Sequence, residues 1–123
     1  MTCHSLNYML KNIKKHPFIF ENRASKYKFG VKNYGEIPHH INKADGDPWD
    51  IFAPGYNSSF KTNTPFMVDK VIGILLLKDG NHKLAIRIKG YPILSNHFEH
   101  YNSLKYSRNY CNFTKIKGTF IKF

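Results

Sequence analysis

The chain has 123 residues, enough for one domain with a modest core but too few for two domains. Hydrophobic residues make up 41% of it and aromatic residues 15%, which excludes the composition of a disordered chain. With 19 basic and 8 acidic residues the net charge is +11, which predicts attraction to polyanions. An AT-rich coding sequence favours the same lysine, asparagine and isoleucine, so the charge also has a purely compositional explanation.

Membrane and secretory signals are not predicted. The longest apolar run, Val71 to Leu77, has the length of a buried strand rather than of a membrane span. The N-terminus has basic residues but no apolar segment followed by a small-residue cleavage site. Cys3 and Cys111 are too few for a disulfide framework. We therefore expect a cytoplasmic protein without a membrane partner.

In chain order, residues 1–16 are polar and basic, and we expect a short helix or a loose arm ahead of one domain over residues 17–123. From Pro17 onward, β-rich runs alternate with turn residues, among which we count Asn33-Tyr34-Gly35. Asp79-Gly80 predicts a hairpin between two of the runs. The predicted strands are Phe18–Phe20, Tyr27–Phe29, Trp49–Ala53, Val68–Leu77 and Lys83–Ile88.

The last third of the chain combines a helix with a final strand. Helical spacing of apolar residues predicts a helix from Leu94 to about Tyr106, with Ser95 or Asn96 as the N-cap. A last strand is predicted from Phe113 to Phe123. The predicted fold class is thus α+β, with mainly β structure. Five or so short strands with one late helix favour a small closed or partly open β-barrel.

Three carboxylates lie close together at the entrance to a predicted strand. Asp45, Asp47 and Asp50 fall within the run Asp-Gly-Asp-Pro-Trp-Asp and repel one another unless a cation or protons compensate. Mg²⁺ suits them, because it prefers oxygen ligands and is often shared with substrate phosphates. A solvated turn is the alternative on the motif alone. An EF-hand fits poorly, since the sixth position is Asp50 rather than glycine and the twelfth is Tyr56 rather than glutamate.

The surrounding motifs resemble the soluble inorganic pyrophosphatases of family I, from about Phe18 to Gly118. The most specific match is Asp-Gly-Asp-Pro-x-Asp, with Trp49 where the family usually has a smaller aliphatic residue. The other matching segments occur in the family's order: Asn33–Pro38, Ile72–Leu75, Asp79 before Lys83-Leu84, Phe98–Tyr101 and Thr114–Gly118.

The resemblance implies a fold, a reaction and a set of site residues. The fold would be a five-stranded, OB-like β-barrel of pyrophosphatase type with one late helix. The reaction would be Mg²⁺-dependent hydrolysis of inorganic pyrophosphate by activated water, with Asp47 as the general base. The implied metal ligands are Asp45, Asp50 and Asp79. The implied contacts to the phosphate oxygens are Lys26, Tyr34, Lys83 and Tyr101, of which Tyr34 and Lys83 also count as catalytic.

Several positions depart from the family pattern. Asn81 stands where a carboxylate is expected, Lys28 replaces an acidic residue, and Asn102 replaces a lysine. The stretch between Tyr27 and Asn33 is too short for the family's arginine-bearing hairpin, and the early strand glutamate has only Glu21 as a candidate. Loss of one positioned electrostatic contact commonly costs about 10²–10³ in rate. Several such losses together would leave a weak enzyme or none.

Two alternatives stay open. The first is an inactive pyrophosphatase-like module that binds metal, phosphate or nucleic acid. Its candidate nucleic-acid surface consists of aromatic residues interleaved with Lys26, Lys28, Lys32 and Lys61, although aromatic residues in short strands more often belong to the core. The second is a subunit of a larger pyrophosphatase or a homo-oligomer, because family members commonly oligomerise. A zinc site built from His97, His100 and the cysteines is disfavoured, because no Cys-x-x-Cys pair anchors it.

Overall fold

The computed structural model describes residues 2–21 and 29–123. In this part of the chain the fold is α+β, with a mixed sheet of seven strands and two α-helices. None of the described helices is both long enough and apolar enough to cross a membrane. The elements are β1 (Thr2–Cys3), α1 (Leu6–Asn12), a 3₁₀ turn (Ile13–Lys15), β2 (Ile19–Phe20), β3 (Tyr34–Asn42), β4 (Asp47–Phe52), β5 (Val68–Leu77), β6 (Lys83–Ile88), α2 (Asn96–Thr114) and β7 (Gly118–Lys122).

The strand order is β1-β3-β4-β6-β5-β7, with β2 also pairing with β3. The pairs β1–β3 and β4–β6 are parallel, whereas the other pairs are antiparallel. In the described residues β1 and β7 end this order without pairing with each other, so the sheet is open. The expected five-stranded, OB-like barrel, closed or partly open, is therefore not confirmed, whereas the α+β class is confirmed.

Several predicted elements agree with the structure, and others do not. The β5–β6 hairpin has the predicted bounds, and Ser95 caps α2 by accepting a hydrogen bond from the backbone N–H of Phe98. The helix ends at Thr114 rather than near Tyr106, so the last strand is shorter than expected. Tyr34 and Gly35 lie in β3 rather than in a turn. Most of the predicted strand Tyr27–Phe29 falls outside the described residues.

The sheet carries a hydrophobic cluster on each face. Successive strand residues point to opposite faces, and Ile51 and Phe52 accordingly belong to different clusters. The N-terminal segment covers one face with Met9 and Ile13, both almost fully buried. Helix α2 covers the other face, where the ring of Tyr106 stacks on Phe52 with 4.1 Å between centroids. The sheet is thus the middle layer of three.

Four aromatic rings attach the N-terminal segment to β3. The His4 ring stacks on Tyr8 at 3.8 Å and on His40 at 4.9 Å, and His16 stacks on His40 at 3.8 Å. Burial lowers the pKa of both His16 and His40, and the positive charges that His4 and Lys15 add near His16 lower its pKa further. For His40 the charges that act in the same direction are those of His16, His4 and His39.

Acidification is expected to destabilise the fold through these histidines. Their folded pKa values lie below the unfolded value of about 6.5, so the unfolded chain binds more protons in that range. The stability contributed by the neutral forms of His16 and His40 is therefore fully present above about pH 6.5. It is lost as the pH falls through their lowered pKa values in the folded protein. The urea concentration at the unfolding midpoint should decrease as the pH is lowered from about 7.5 to about 5.5. The change should be smaller in the variant His16→Gln/His40→Gln than in His97→Gln, and equal changes would contradict the assignment.

Candidate functional site

Two turns from distant parts of the sequence meet at one end of the sheet. Asn42, buried at the end of β3, donates from its side-chain amide to the Gly80 carbonyl in the β5–β6 turn at 3.0 Å. Its own side-chain oxygen accepts from the Ala44 N–H at 3.0 Å, which shapes the β3–β4 turn. Gly46 and Gly80 have φ values of +74° and +82°, which favour glycine. The Asp-Gly-Asp turn and the Asp79 turn are thereby held together.

A row of charged side chains crosses three strands beside these turns. Glu36 on β3 lies opposite Asp50 on β4, and Asp50 lies opposite Lys83 on β6. Side chains at directly opposite positions share a face of the sheet. The Lys83 ammonium forms an ion pair with the Asp50 carboxylate, and its side chain is only 3% exposed. The register thus places two carboxylates and one lysine side by side.

The row lines a cavity of about 440 Å³. Four of the eight acidic residues of the protein line it, namely Glu36, Asp45, Asp47 and Asp50. Lys83 is the only basic side chain among the described residues in its lining. Like charges this close repel one another, so the cavity favours a cation or bound protons. This concentration of negative charge contrasts with the net charge of +11.

Burial is the main influence on the pKa of Asp50. It raises the pKa of this carboxyl above its usual range, although the charge of Lys83 and hydrogen bonds from Lys83 and Tyr34 act in the opposite direction. The charge of Asp45 raises the Asp50 pKa further. Asp47 is exposed, and in the described part of the chain its carboxylate belongs to no ion pair. Of the four carboxylates in the cavity, Asp50 is thus largely buried and paired with Lys83, whereas Asp47 is exposed and has no ion-pair partner among the described residues.

Tyr110 lines the cavity, whereas Tyr101 does not lie among its described lining residues and is 55% exposed. The two residues are nine positions apart on α2, and nine residues at about 100° each turn the helix by two and a half turns. They therefore face opposite directions. The Lys83 ammonium lies 5.2 Å from the centre of the Tyr110 ring. Burial, and then the charges of Asp79, Asp50 and Asp45, raise the pKa of Tyr110 to about 12, which keeps its hydroxyl protonated.

The remaining predicted positions lie in several places. Asp79 is exposed in the neighbouring turn, where its carboxylate accepts from the Asn81 N–H at 3.0 Å. Asn81 lines the cavity, and the buried amide of Asn102 donates to the Pro54 carbonyl at 3.1 Å. Glu21 donates its backbone N–H to the Tyr34 carbonyl, whereas Glu36 is the glutamate that lines the cavity. Lys26 and Lys28 lie outside the described residues.

The donors in the cavity are of the chemical type that a hard cation uses, but their arrangement does not form a complete metal site. Carboxylate oxygens are the ligands that Mg²⁺ prefers, and this ion keeps several waters while it binds through one or two carboxylates. Within residues 2–21 and 29–123, no three histidine, cysteine or carboxylate side chains are arranged so that they could hold one metal ion.

Sequence reasoning did not select Glu36 and Tyr110. Glu36 alternates with Tyr34 along β3, which is the signal that would have placed both on one face had this segment been recognised as a strand. Tyr106, Tyr110 and Phe113 continue a helical spacing beyond the predicted end of α2.

Comparisons with protein-family models, with curated proteins and with solved structures found no match for this chain. The resemblance to the family I pyrophosphatases therefore rests on the residues quoted above and stays a prediction.

Proposed function

We propose that the protein is a Mg²⁺-dependent hydrolase of phosphoanhydrides, with inorganic pyrophosphate as its substrate. The observation that carries this proposal is the convergence of four carboxylates with Lys83 and Tyr34 in one cavity. The Asp-Gly-Asp-Pro-x-Asp turn supplies three of those carboxylates. A highly basic protein that concentrates negative charge at one site has the electrostatics that a divalent cation requires. The OB-like barrel that the resemblance implies stays part of this proposal.

The proposed metal ligands are Asp45, Asp50 and Asp79, with Glu36 as an additional carboxylate in the same cavity. Asp45, Asp50 and Glu36 line the cavity, and the charge of Asp79 reaches it from the neighbouring turn. When bound, Mg²⁺ lowers the pKa of water and offsets the negative charge of the phosphates.

The protein's own residues account for the proton transfer and for positioning the substrate. Asp47 would accept a proton as a water oxygen bonds to one phosphorus atom and the bridging P–O bond breaks, which releases two phosphates. Lys83 has three N–H donors, and its ion pair with Asp50 leaves others for the departing phosphate. Tyr110, whose hydroxyl stays protonated, and Tyr34 both line the cavity and can donate to phosphate oxygens as neutral groups.

A binding module without turnover is the second candidate. The ion pair between Asp50 and Lys83 favours it, because each group already compensates the charge of the other. The neutral amide of Asn81 in the cavity and the outward-facing Tyr101 also favour it, since they leave fewer charged contacts to a substrate. Such a module would bind Mg²⁺ and phosphate in the same cavity.

Phosphate release from inorganic pyrophosphate, measured as Mg²⁺ is varied, tests the proposal. We expect release that depends on Mg²⁺ and disappears with EDTA. Calorimetric titration of Mg²⁺ into the same folded protein separates the two candidates. Metal binding without phosphate release would replace the hydrolase with the binding module, and the absence of both would contradict both.

A further inference from the structure

Six of the eight acidic residues lie in or beside the cavity or are buried, and the other two are Glu21 and the exposed Asp69. Four of the eight line the cavity, and Asp79 lies in the turn beside it. Glu99 is buried and forms two hydrogen bonds with the Arg87 guanidinium, at 2.9 and 3.1 Å. The rest of the surface therefore has many ammonium groups and few carboxylates to compensate them.

Four of these ammonium groups surround two adjoining depressions, which we call the lysine groove. The depressions have volumes of about 360 and 270 Å³ and share Lys70 and Phe123. Lys11 and Lys14 border the groove from the N-terminal segment, and Lys122 borders it from β7. All four lysines are exposed, and in the described part of the chain none forms an ion pair.

The lysine groove lies far from the acidic cavity. Lys70 pairs with Arg87 near one end of the β5–β6 hairpin, whereas Leu75 pairs with Lys83 near the other end. Leu75 lies five positions after Lys70 on β5, which corresponds to about 16 Å along an extended strand. The groove is therefore a separate surface, and a ligand there does not require the carboxylates of the cavity.

Aromatic rings lie beside the lysines in this groove. Phe123 is 57% exposed, and Phe120 and His100 line the same depression with 6.5 Å between their ring centres. Exposed rings next to a track of positive charge provide the two contacts that single-stranded nucleic acid uses, base stacking and phosphate neutralisation. Glu99 is the only side-chain carboxylate among the described lining residues, and Arg87 already compensates it.

We propose that the lysine groove binds single-stranded nucleic acid. The four lysines contact the phosphates, and Phe123 stacks on a base. Binding of this kind releases counterions, so the affinity falls steeply with salt. For each neutralised phosphate, the logarithm of the binding constant falls by about 0.7 per ten-fold increase in salt concentration. It does not depend on Mg²⁺ or on hydrolysis in the acidic cavity.

Fluorescence anisotropy with a labelled single-stranded oligothymidylate of about 12 nucleotides tests this inference. Binding is measured with EDTA present and with salt varied from about 50 to about 200 mM. The variant Lys70→Glu/Lys122→Glu changes the groove. The variant Lys43→Glu/Lys78→Glu changes the net charge equally at exposed lysines that do not line the groove.

We expect the groove variant to bind at least about ten-fold more weakly. The slope of the logarithm of its binding constant against the logarithm of salt concentration should be shallower by about 1 or more. The control variant should change the affinity by no more than about two-fold. Phe123→Ala should weaken binding of the single strand by about five-fold or more. Equal losses in both double variants would overturn the inference, because binding would then follow net charge alone. Absence of binding at low salt, or a duplex bound as tightly as the single strand, would overturn it too.

Discussion

Asp47→Asn is expected to reduce phosphate release from pyrophosphate by about 10²–10⁴, the contribution of a positioned general base. The exchange keeps the size of the side chain and removes its ability to accept a proton. Asp47 is exposed, and its backbone N–H, which donates to the Asp45 carboxylate at 3.0 Å, is unchanged. The turn should therefore keep its shape. Steady-state rates at saturating Mg²⁺ measure the effect.

The matched control is Asp69→Asn, which neutralises an exposed carboxylate on β5 outside the described lining of the cavity. It should leave the rate within about two-fold of the parent protein. Mg²⁺ affinity should fall much less than turnover in Asp47→Asn, because the proposed ligands remain. Turnover that is unchanged in Asp47→Asn would reject this residue as the base.

Asp50→Asn is expected to lower the free energy of unfolding by about 3–5 kcal/mol, because it leaves the Lys83 ammonium buried without a partner charge. The Lys83 side chain is 3% exposed and that of Asp50 is 14% exposed, so water can compensate the charge only in part. Lys83→Met should cost less, because the raised pKa of Asp50 allows this carboxyl to take up a proton. Urea denaturation at neutral pH measures both changes.

The double variant Asp50→Asn/Lys83→Met should recover most of the loss, since replacing both members of a buried pair is often close to neutral. Lys61→Met, at an exposed lysine outside every ion pair of the described residues, should stay within about 0.5 kcal/mol of the parent. A double variant as unstable as Asp50→Asn alone would show that the charges do not compensate each other in the folded protein.

The missed strand β3 shows why local patterns were insufficient. Asn33-Tyr34-Gly35 has the composition of a turn, yet Gly35 is needed for a close approach between strands. An added Cβ there would lie 1.9 Å from the Ile19 carbonyl oxygen on β2. Asn33 is buried, and its side chain bonds the loop at Ser58 and Phe60. The positions of Asn33 and Gly35 therefore depend on contacts with segments that are separated from them in the sequence and meet them only in the folded protein.

What the sequence by itself determined is local. The spacing of apolar residues predicted β5 and β6, Asp79-Gly80 predicted their hairpin, and Ser95 predicted the start of α2. These features depend on backbone preferences and hydrogen bonds within a few residues. The spacing of Asp45, Asp47 and Asp50 likewise indicated where negative charge would concentrate.

Only the tertiary structure decided which side chains complete the cavity. Glu36 lies opposite Asp50, and Lys83 lies beside it, because of the register between strands that are far apart in the chain. Tyr110 faces the cavity and Tyr101 faces away. Helix α2 extends to Thr114 and therefore contains both residues, and their nine-residue separation places them on opposite sides of it. Strand register and helix facing depend on how the whole core packs, and a one-residue change in either would turn these side chains elsewhere.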